Sequence, residues 1–369
     1  MISQRATPTL DDAPLLTLRH NEYSGYGVFA TEDIKSGSQV LDSGCPALYV
    51  VYRAFRKEVC GYCFKYENGR NWKVRLDENG GGGGGAIVFC SEDCRSAWVG
   101  EYREEGKEAY VALKSFVQKH TRKELEEEDK DRPIPSVQDV EERWNKVVLQ
   151  GDLIRSFRTK TPLRGDSNSD DKQSKSSGKA VKKAYSSAIS TPIIDIDMLF
   201  FLLSGVLSAA STTWSSKWQA ILSLNPSPVY NTFSLLEETT TSYLHLMASL
   251  PISLLPFVTR ETMEVIIFRD IANSFGIWSS KEDDGGEMLG HGTWPNASFF
   301  NHSCLPTVTQ NRVGRNWVFK TLKDCTPGTE MCISYIRDKE KELGVVQRRE
   351  LLKNGWGFVC RCSLCLKEE

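Results

Sequence analysis

Apolar residues near the N-terminus fall in short runs bounded by Gly, Ser and Pro, which predicts strands and turns over residues 15–55. Tyr26-Gly-Val-Phe-Ala is one such run, Gln39-Val-Leu opens a second, and Ala47–Tyr52 is a third, with a turn at Lys35-Ser-Gly-Ser. The period then changes. From Arg95 to about His120, Trp98, Tyr102, Ala109, Leu113 and Phe116 recur at helical spacing against a charged opposite face. Ser136 and Asp139 form a capping box ahead of a helix over Val137–Leu149. Pro192 to Phe275 reads as mostly helical, with Pro192 at a helix start and breaks at Thr213–Lys217 and Asn225–Pro228. Within it Met198–Ala210 is too short to span a bilayer and reads as a buried helix, while Met263, Ile266, Ile267 and Ile271 share one face. Strand signals return at Trp317–Thr321 and Glu330–Tyr335, around a turn at Lys323–Thr329.

Three stretches interrupt this pattern. Gly80–Gly85 is a six-glycine tract and Glu124–Arg132 a dense charge run. Thr159–Ser187 is rich in Ser, Lys, Asp and Gly and nearly free of large apolar residues, which predicts a disordered insertion. A further polar loop is expected at Lys281–Gly286. The order of strands, compact module, long helical insert, strands and tail predicts an α+β fold.

Composition adds limits. The chain has 369 residues and a net charge of −2, ample for a core and without a basic nucleic-acid footprint over the whole chain. No secretory signal pattern opens it, so a soluble cytoplasmic and/or nuclear protein is expected, with no membrane association and no direct nucleic-acid binding. A zinc-finger adaptor would need a basic surface that the composition does not suggest.

The cysteines change the picture most. There are eleven, an odd number at paired spacings, which argues for metal thiolates over disulfides. Cys60-Gly-Tyr-Cys63 and Cys90-Ser-Glu-Asp-Cys94 together supply four sulfurs for a tetrahedral Zn²⁺ site, with the glycine tract lengthening the loop between them. Cys360, Cys362 and Cys365 supply three of a second site. Spacing leaves its fourth ligand open between Cys304, Cys325 and Cys332. Fully thiolate-ligated zinc keeps no open position, so both sites are expected to be structural.

Four motifs in order carry a resemblance. Ser24-Gly25-Tyr26-Gly27-Val28-Phe29-Ala30, the interrupting Cys pairs, Asn301-His302-Ser303-Cys304-Leu305-Pro306, and Gly328-Thr329-Glu330 through Tyr335 are followed by the Phe358–Cys365 tail. The sequence resembles SET-domain proteins of the SMYD-like type, in which a MYND-type finger splits the SET halves. The resemblance implies a β-rich SET fold of short strands with a threaded pseudoknot. It implies S-adenosylmethionine-dependent lysine methylation of a protein substrate carrying a target lysine, histone or non-histone, by a monomer. A catalytically inactive SET and zinc-finger interaction module is the alternative. By resemblance, Gly25, Tyr26, Gly27, Asn273, Asn301, His302 and Phe358 bind the cofactor, Tyr335 is catalytic, and Cys304 joins the tail zinc. The implied organisation is a SET N-terminal half at 15–58, a reduced finger at 59–95, a helical insert at 96–258, a SET C-terminal half at 259–338 and a post-SET zinc region at 339–369. Two departures stand out. No Cys or His follows Cys94 until His120, which predicts one zinc in the finger instead of two, and Thr307 stands where the family has Asn.

Overall fold

A computed structural model describes the chain except residues 1–8, 11, 22–23, 78–86, 121–133, 161–170, 212–214, 228–229 and 281–285, together with the side chains of 171–177 and 215. The glycine tract, the charge run and most of the loop at 281–286 therefore lie outside the described residues.

Among the described residues the strands form four small antiparallel sheets. β1 (Leu16–Asn21) pairs with β2 (Gly25–Ala30) as a hairpin. β3 (Gln39–Asp42) and β4 (Leu48–Val51) each find partners far along the chain: β3 lies beside β10 (Asn316–Thr321), which also pairs with β9 (Val308–Val313), and β4 lies beside β8 (Met288–Thr293), which also pairs with β7 (Ser274–Trp278). Leu48 faces Thr293 and Asp42 faces Val318 across these ladders. The two ends of the chain are thus one β-rich body, and everything from Val51 to Ser274 is inserted into it. β5 (Val74–Arg75) and β6 (Val88–Phe89) form the small ribbon of the cysteine module.

The insert is helical where the apolar period and the caps agree. α1 (Glu92–Lys119) starts at Ser91, whose side chain accepts from the Cys94 N–H, and buries Trp98, Tyr102, Ala109, Leu113 and Phe116 as their spacing implies. α2 (Val137–Thr159) opens with the reciprocal Ser136–Asp139 capping box. α3 (Asp171–Ser190) corrects the expectation of disorder over the C-terminal part of Thr159–Ser187. Its Ala184 and Ala188 are buried, and Tyr185 meets Phe157 of α2 at 4.8 Å, so packing supplies what the composition lacks. α4 (Ile196–Ala210) is the buried helix expected, but Asp195 caps it and Pro192 lies before it, not at its first turn. α5 (Ser215–Ser223), α6 (Phe233–Ser249) and α7 (Arg260–Asn273) complete the insert. On α7, Met263, Ile266 and Ile267 are buried but Ile271 is 36% exposed, although Asn273 in the same last turn is buried. Phe275, placed at the end of the helical stretch, belongs to β7. Glu330–Tyr335 makes isolated bridges, not a regular strand, for the reason given below. The chain closes with α8 (Asp338–Lys341), α9 (Val345–Trp356) and α10 (Ser363–Lys367).

His245 of α6 is 1% exposed, and its Nε2 lies 3.0 Å from the Thr191 carbonyl, linking α6 to the segment after α3. Burial pushes its pKa down to about 4. Between pH 6.5 and 4 the unfolded chain takes up a proton that the native imidazole refuses, so stability falls as pH drops through this window, by about 3 kcal/mol in all. Denaturant unfolding of the wild type and of His245→Gln, which keeps an N–H donor without titrating, should show a shallower loss in the variant over that range.

Candidate functional site

Three backbone segments meet at the centre of the β-rich body. The stretch Glu330–Tyr335 runs between β2 and the segment 301–308. On one side Met331 N–H donates to Val28 O at 2.8 Å and Ala30 N–H to Thr329 O at 2.9 Å. On the other, Ile333 N–H donates to Asn301 O at 3.0 Å and Ser303 N–H to Ile333 O at 2.9 Å, in a parallel sense. Each edge carries bonds over only one or two residues, too few for a ladder, which is why only bridges form. The arrangement is a threaded one, rare in globular chains.

Threading sets the side chains. Asn301 Nδ2 donates to Glu330 Oε1 at 3.0 Å and lies 3.2 Å from Ser24 Oγ and 3.4 Å from Tyr26 O. Gly27 lets these two side chains close over the backbone: a Cβ would stand 2.7 Å from Asn301 Nδ2 and 2.8 Å from Glu330 Oε1, so both would have to shift. Gly25 has φ +72°, and a Cβ on it would meet Asn225 Nδ2 at 2.9 Å. Asn273 Nδ2 donates at 2.8 Å both to Asn225 O and to Arg269 O, while its own carbonyl accepts from Ser298 Oγ. Gly25 and Asn273 therefore meet through Asn225, a residue sequence reading passed over as part of a helix break.

His302 holds the other end. Its Nδ1 accepts the Tyr335 N–H at 3.0 Å and its Nε2 lies 3.3 Å from Cys304 Sγ. Burial lowers its pKa to about 4, so the ring is neutral, and the bond at Nδ1 leaves the proton on Nε2, facing the sulfur. Tyr335 donates its hydroxyl to Phe300 O at 2.9 Å, and burial pushes its pKa up, keeping it a phenol. Its ring lies 5.4 Å from His302, 6.2 Å from Phe358 and 5.5 Å from Trp356. Trp356, 42% exposed, was not singled out from sequence; its only signal is its place two residues before Phe358.

Both cysteine groups assemble. In each of Cys60/Cys63/Cys90/Cys94 and Cys304/Cys360/Cys362/Cys365, the four sulfurs lie within 4.8 Å of one another, and among the described residues no third such group occurs. Cys304 Sγ is 3.6 Å from Cys365 Sγ and 4.0 Å from Cys360 Sγ. Cys325 instead bonds the Lys323 carbonyl, and neither it nor Cys332 joins a cluster. Four thiolates this close are tolerated only around a cation. The donor sets are soft and all-sulfur.

A SET domain model matches residues 25–336. The chain belongs to the SET domain family. Among curated SET relatives, it is 25% identical over 378 residues to a potential protein lysine methyltransferase of Saccharomyces cerevisiae, SET6, covering 96% of each chain. It is 36% identical over 105 residues to a SET and MYND domain-containing protein of Dictyostelium discoideum, covering 28% of this chain and 25% of that one. It is 21% identical over 390 residues to the zebrafish (Danio rerio) protein-lysine N-trimethyltransferase SMYD5, covering 94% and 86%.

The SET departure at Thr307 has a structural answer. The Thr307 hydroxyl accepts the Cys332 N–H at 2.7 Å and donates to Glu330 O at 3.1 Å, so this short side chain both accepts from and donates to the threaded stretch, as an Asn amide would. Thr307→Val should orphan the buried Cys332 N–H and cost about 1–3 kcal/mol in denaturant unfolding, while Thr307→Ser costs under about 1 kcal/mol.

Proposed function

We propose that this SET chain is an S-adenosylmethionine-dependent protein lysine N-methyltransferase, with a protein substrate that presents a target lysine. The observation that carries the reading is the Tyr335 N–H bonded to His302 Nδ1, which binds the candidate catalytic tyrosine to the segment bearing Asn301. The glycine cradle supports the cofactor assignment. Asn225 packs against Gly25, whose φ is +72°, and Asn301 and Glu330 pack against Gly27, so this backbone segment is held at close quarters by polar side chains, as a cofactor cradle requires. Gly25, Tyr26, Gly27, Asn273, Asn301, His302 and Phe358 would hold the cofactor, which supplies a methyl group activated on a positive sulfonium.

The chain's own contribution is positional. Asn301 and His302 are locked by hydrogen bonds before any ligand arrives, so little ordering remains when donor and acceptor are brought into line. The target lysine must be neutral, and an aromatic surround of Tyr335, Trp356 and Phe358 favours the uncharged amine by desolvation. Tyr335 stays protonated and anchored on Phe300 O, so its oxygen is fixed as an acceptor that orients the amine. The Phe300 carbonyl ranks beside it as an acceptor for weak CH···O contact.

We propose zinc in both cysteine clusters, as closed structural sites. For the domains we propose SET halves at 15–58 and 259–338, so that α7, although inserted between β4 and β7, is counted with the C-terminal half, with a one-zinc finger at 59–95, a helical insert at 96–258 and a post-SET region at 339–369.

Three measurements test these assignments. Calorimetric titration with S-adenosylmethionine should show binding to the wild type and roughly tenfold weaker binding to Asn301→Ala, the loss of about one charge-free polar contact set. On a lysine-peptide array, Tyr335→Phe should lose about 100-fold or more in turnover with cofactor affinity nearly unchanged; undiminished transfer would remove Tyr335 from the reaction. Elemental analysis should separately return about two zinc per chain, two closed Cys₄ sites being expected; a value near three would mean an unseen ligand set in the finger.

A further inference from the structure

The cysteine module is not a free-standing appendage. Tyr62 lies inside the Cys60–Cys63 knuckle, and the Arg315 guanidinium stacks over its ring at 4.1 Å. Arg315 sits in the turn between β9 and β10 of the SET body, is 8% exposed, and makes a two-pronged ion pair with Glu101 of α1. Lys217 of α5 stands 3.7 Å from the same carboxylate. One planar cation thus joins the finger, the first helix of the insert and the catalytic half, a role its flat, multi-donor shape suits.

The link continues inward. The Arg315 carbonyl accepts Trp294 Nε1–H at 2.7 Å. Trp294 is fully buried and is a hub of edge-on ring contacts: Phe64 of the finger at 6.4 Å, Trp317 at 6.2 Å and Phe275 at 6.3 Å. Phe64, next to the ligand Cys63, holds φ +61°, a strained conformation for an aromatic residue that the surrounding packing must maintain. On the far side, Phe275 follows Asn273 by two residues, and the Trp294 carbonyl accepts the same Ser298 hydroxyl that bonds Asn273 O. Knuckle and cofactor-side asparagine are therefore separated by one continuous set of buried contacts, at both ends of which the backbone is held by specific bonds.

We propose that Arg315 is a positioning residue that couples the metal-bound Cys60/Cys63/Cys90/Cys94 knuckle to the cofactor side of the SET body, so that the finger serves the chain as an internal strut and the cofactor is held more tightly when its cluster is loaded. This rests on the methyltransferase reading given above. A cation in the cluster fixes the Cys60–Phe64 turn; the turn fixes Tyr62 under Arg315 and Phe64 against Trp294; and these hold the β9–β10 turn and the Asn273–Ser298 contact in register.

The test uses the full chain purified with its metal. Three quantities are read on each variant: zinc per chain, the dissociation constant of S-adenosylhomocysteine by calorimetry, and the tryptophan emission spectrum. Tyr62→Leu keeps an apolar side chain on the knuckle and removes the ring; Arg315→Lys keeps the charge and removes the stacking plane. Both should retain their zinc, bind S-adenosylhomocysteine about tenfold more weakly, and shift tryptophan emission; the double variant should be no weaker than either single one, since both cut the same link. Retained zinc with cofactor affinity within twofold of wild type in either variant overturns the proposal, as does full additivity in the double. If Tyr62→Leu loses zinc, Arg315→Lys, which leaves the knuckle untouched, decides alone. A wild type that does not bind S-adenosylhomocysteine overturns the methyltransferase reading itself, and the coupling with it.

Discussion

The bond from Tyr335 N–H to His302 Nδ1 is the constraint on which the rest depends. It exists only because Glu330–Tyr335 is threaded between β2 and the 301–308 segment, with backbone bonds on both sides. A neutral imidazole can accept at one nitrogen and donate at the other, so His302 joins the tyrosine's backbone to the sulfur of Cys304. The knot and the tail cluster are for this reason one mechanical unit. The Thr307 hydroxyl, bonded to both Glu330 and Cys332, locks the same stretch from behind.

The cysteine clusters act where the hydrophobic effect cannot. The tail's own core is small, consisting of Cys304, Ile336, Leu352, Cys360 and Cys365 with a few neighbours packed on it. Such a patch holds a C-terminal segment only weakly, and a bound cation would supply the missing free energy of ordering. Arg348, buried under the tail, reaches both Cys365 Sγ and Glu368 and spreads the positive charge needed beside several thiolates. The finger is tied differently, through Arg315 and Trp294 to the sheet of the SET body.

Splitting the SET body by more than two hundred residues is tolerated because the entropy of closing a loop grows only slowly with its length. The insert also has a core of its own. Trp144, Leu199, Leu203 and Met247 are fully buried, and caps at Ser136, Asp195, Thr232 and Thr259 start its helices where the apolar pattern begins. The insert returns Asn225 to Gly25 and delivers Asn273 to the edge of β7, so it completes the site as well as interrupting the fold.

Local chemistry was legible in the chain alone. Cysteine spacing and the Ser136–Asp139 capping box each depend on neighbours within a few residues, so pattern and structure agree. Contacts set by distant partners were not. α3 looked disordered because its few apolar groups are stabilised only against α2 and α6; Ile271 looked buried because periodicity does not say which side chains a neighbour covers; and Asn225, Thr307 and Arg315 show their roles only once the chain closes. The sequence by itself determined which chemistry is present, because ligand type and motif are local properties of side chains. Tertiary structure decided how Tyr335 is held, and its geometry closes the tail cluster on Cys304, the cysteine that spacing left open and the family resemblance assigned, because both follow from a threading that no local pattern encodes.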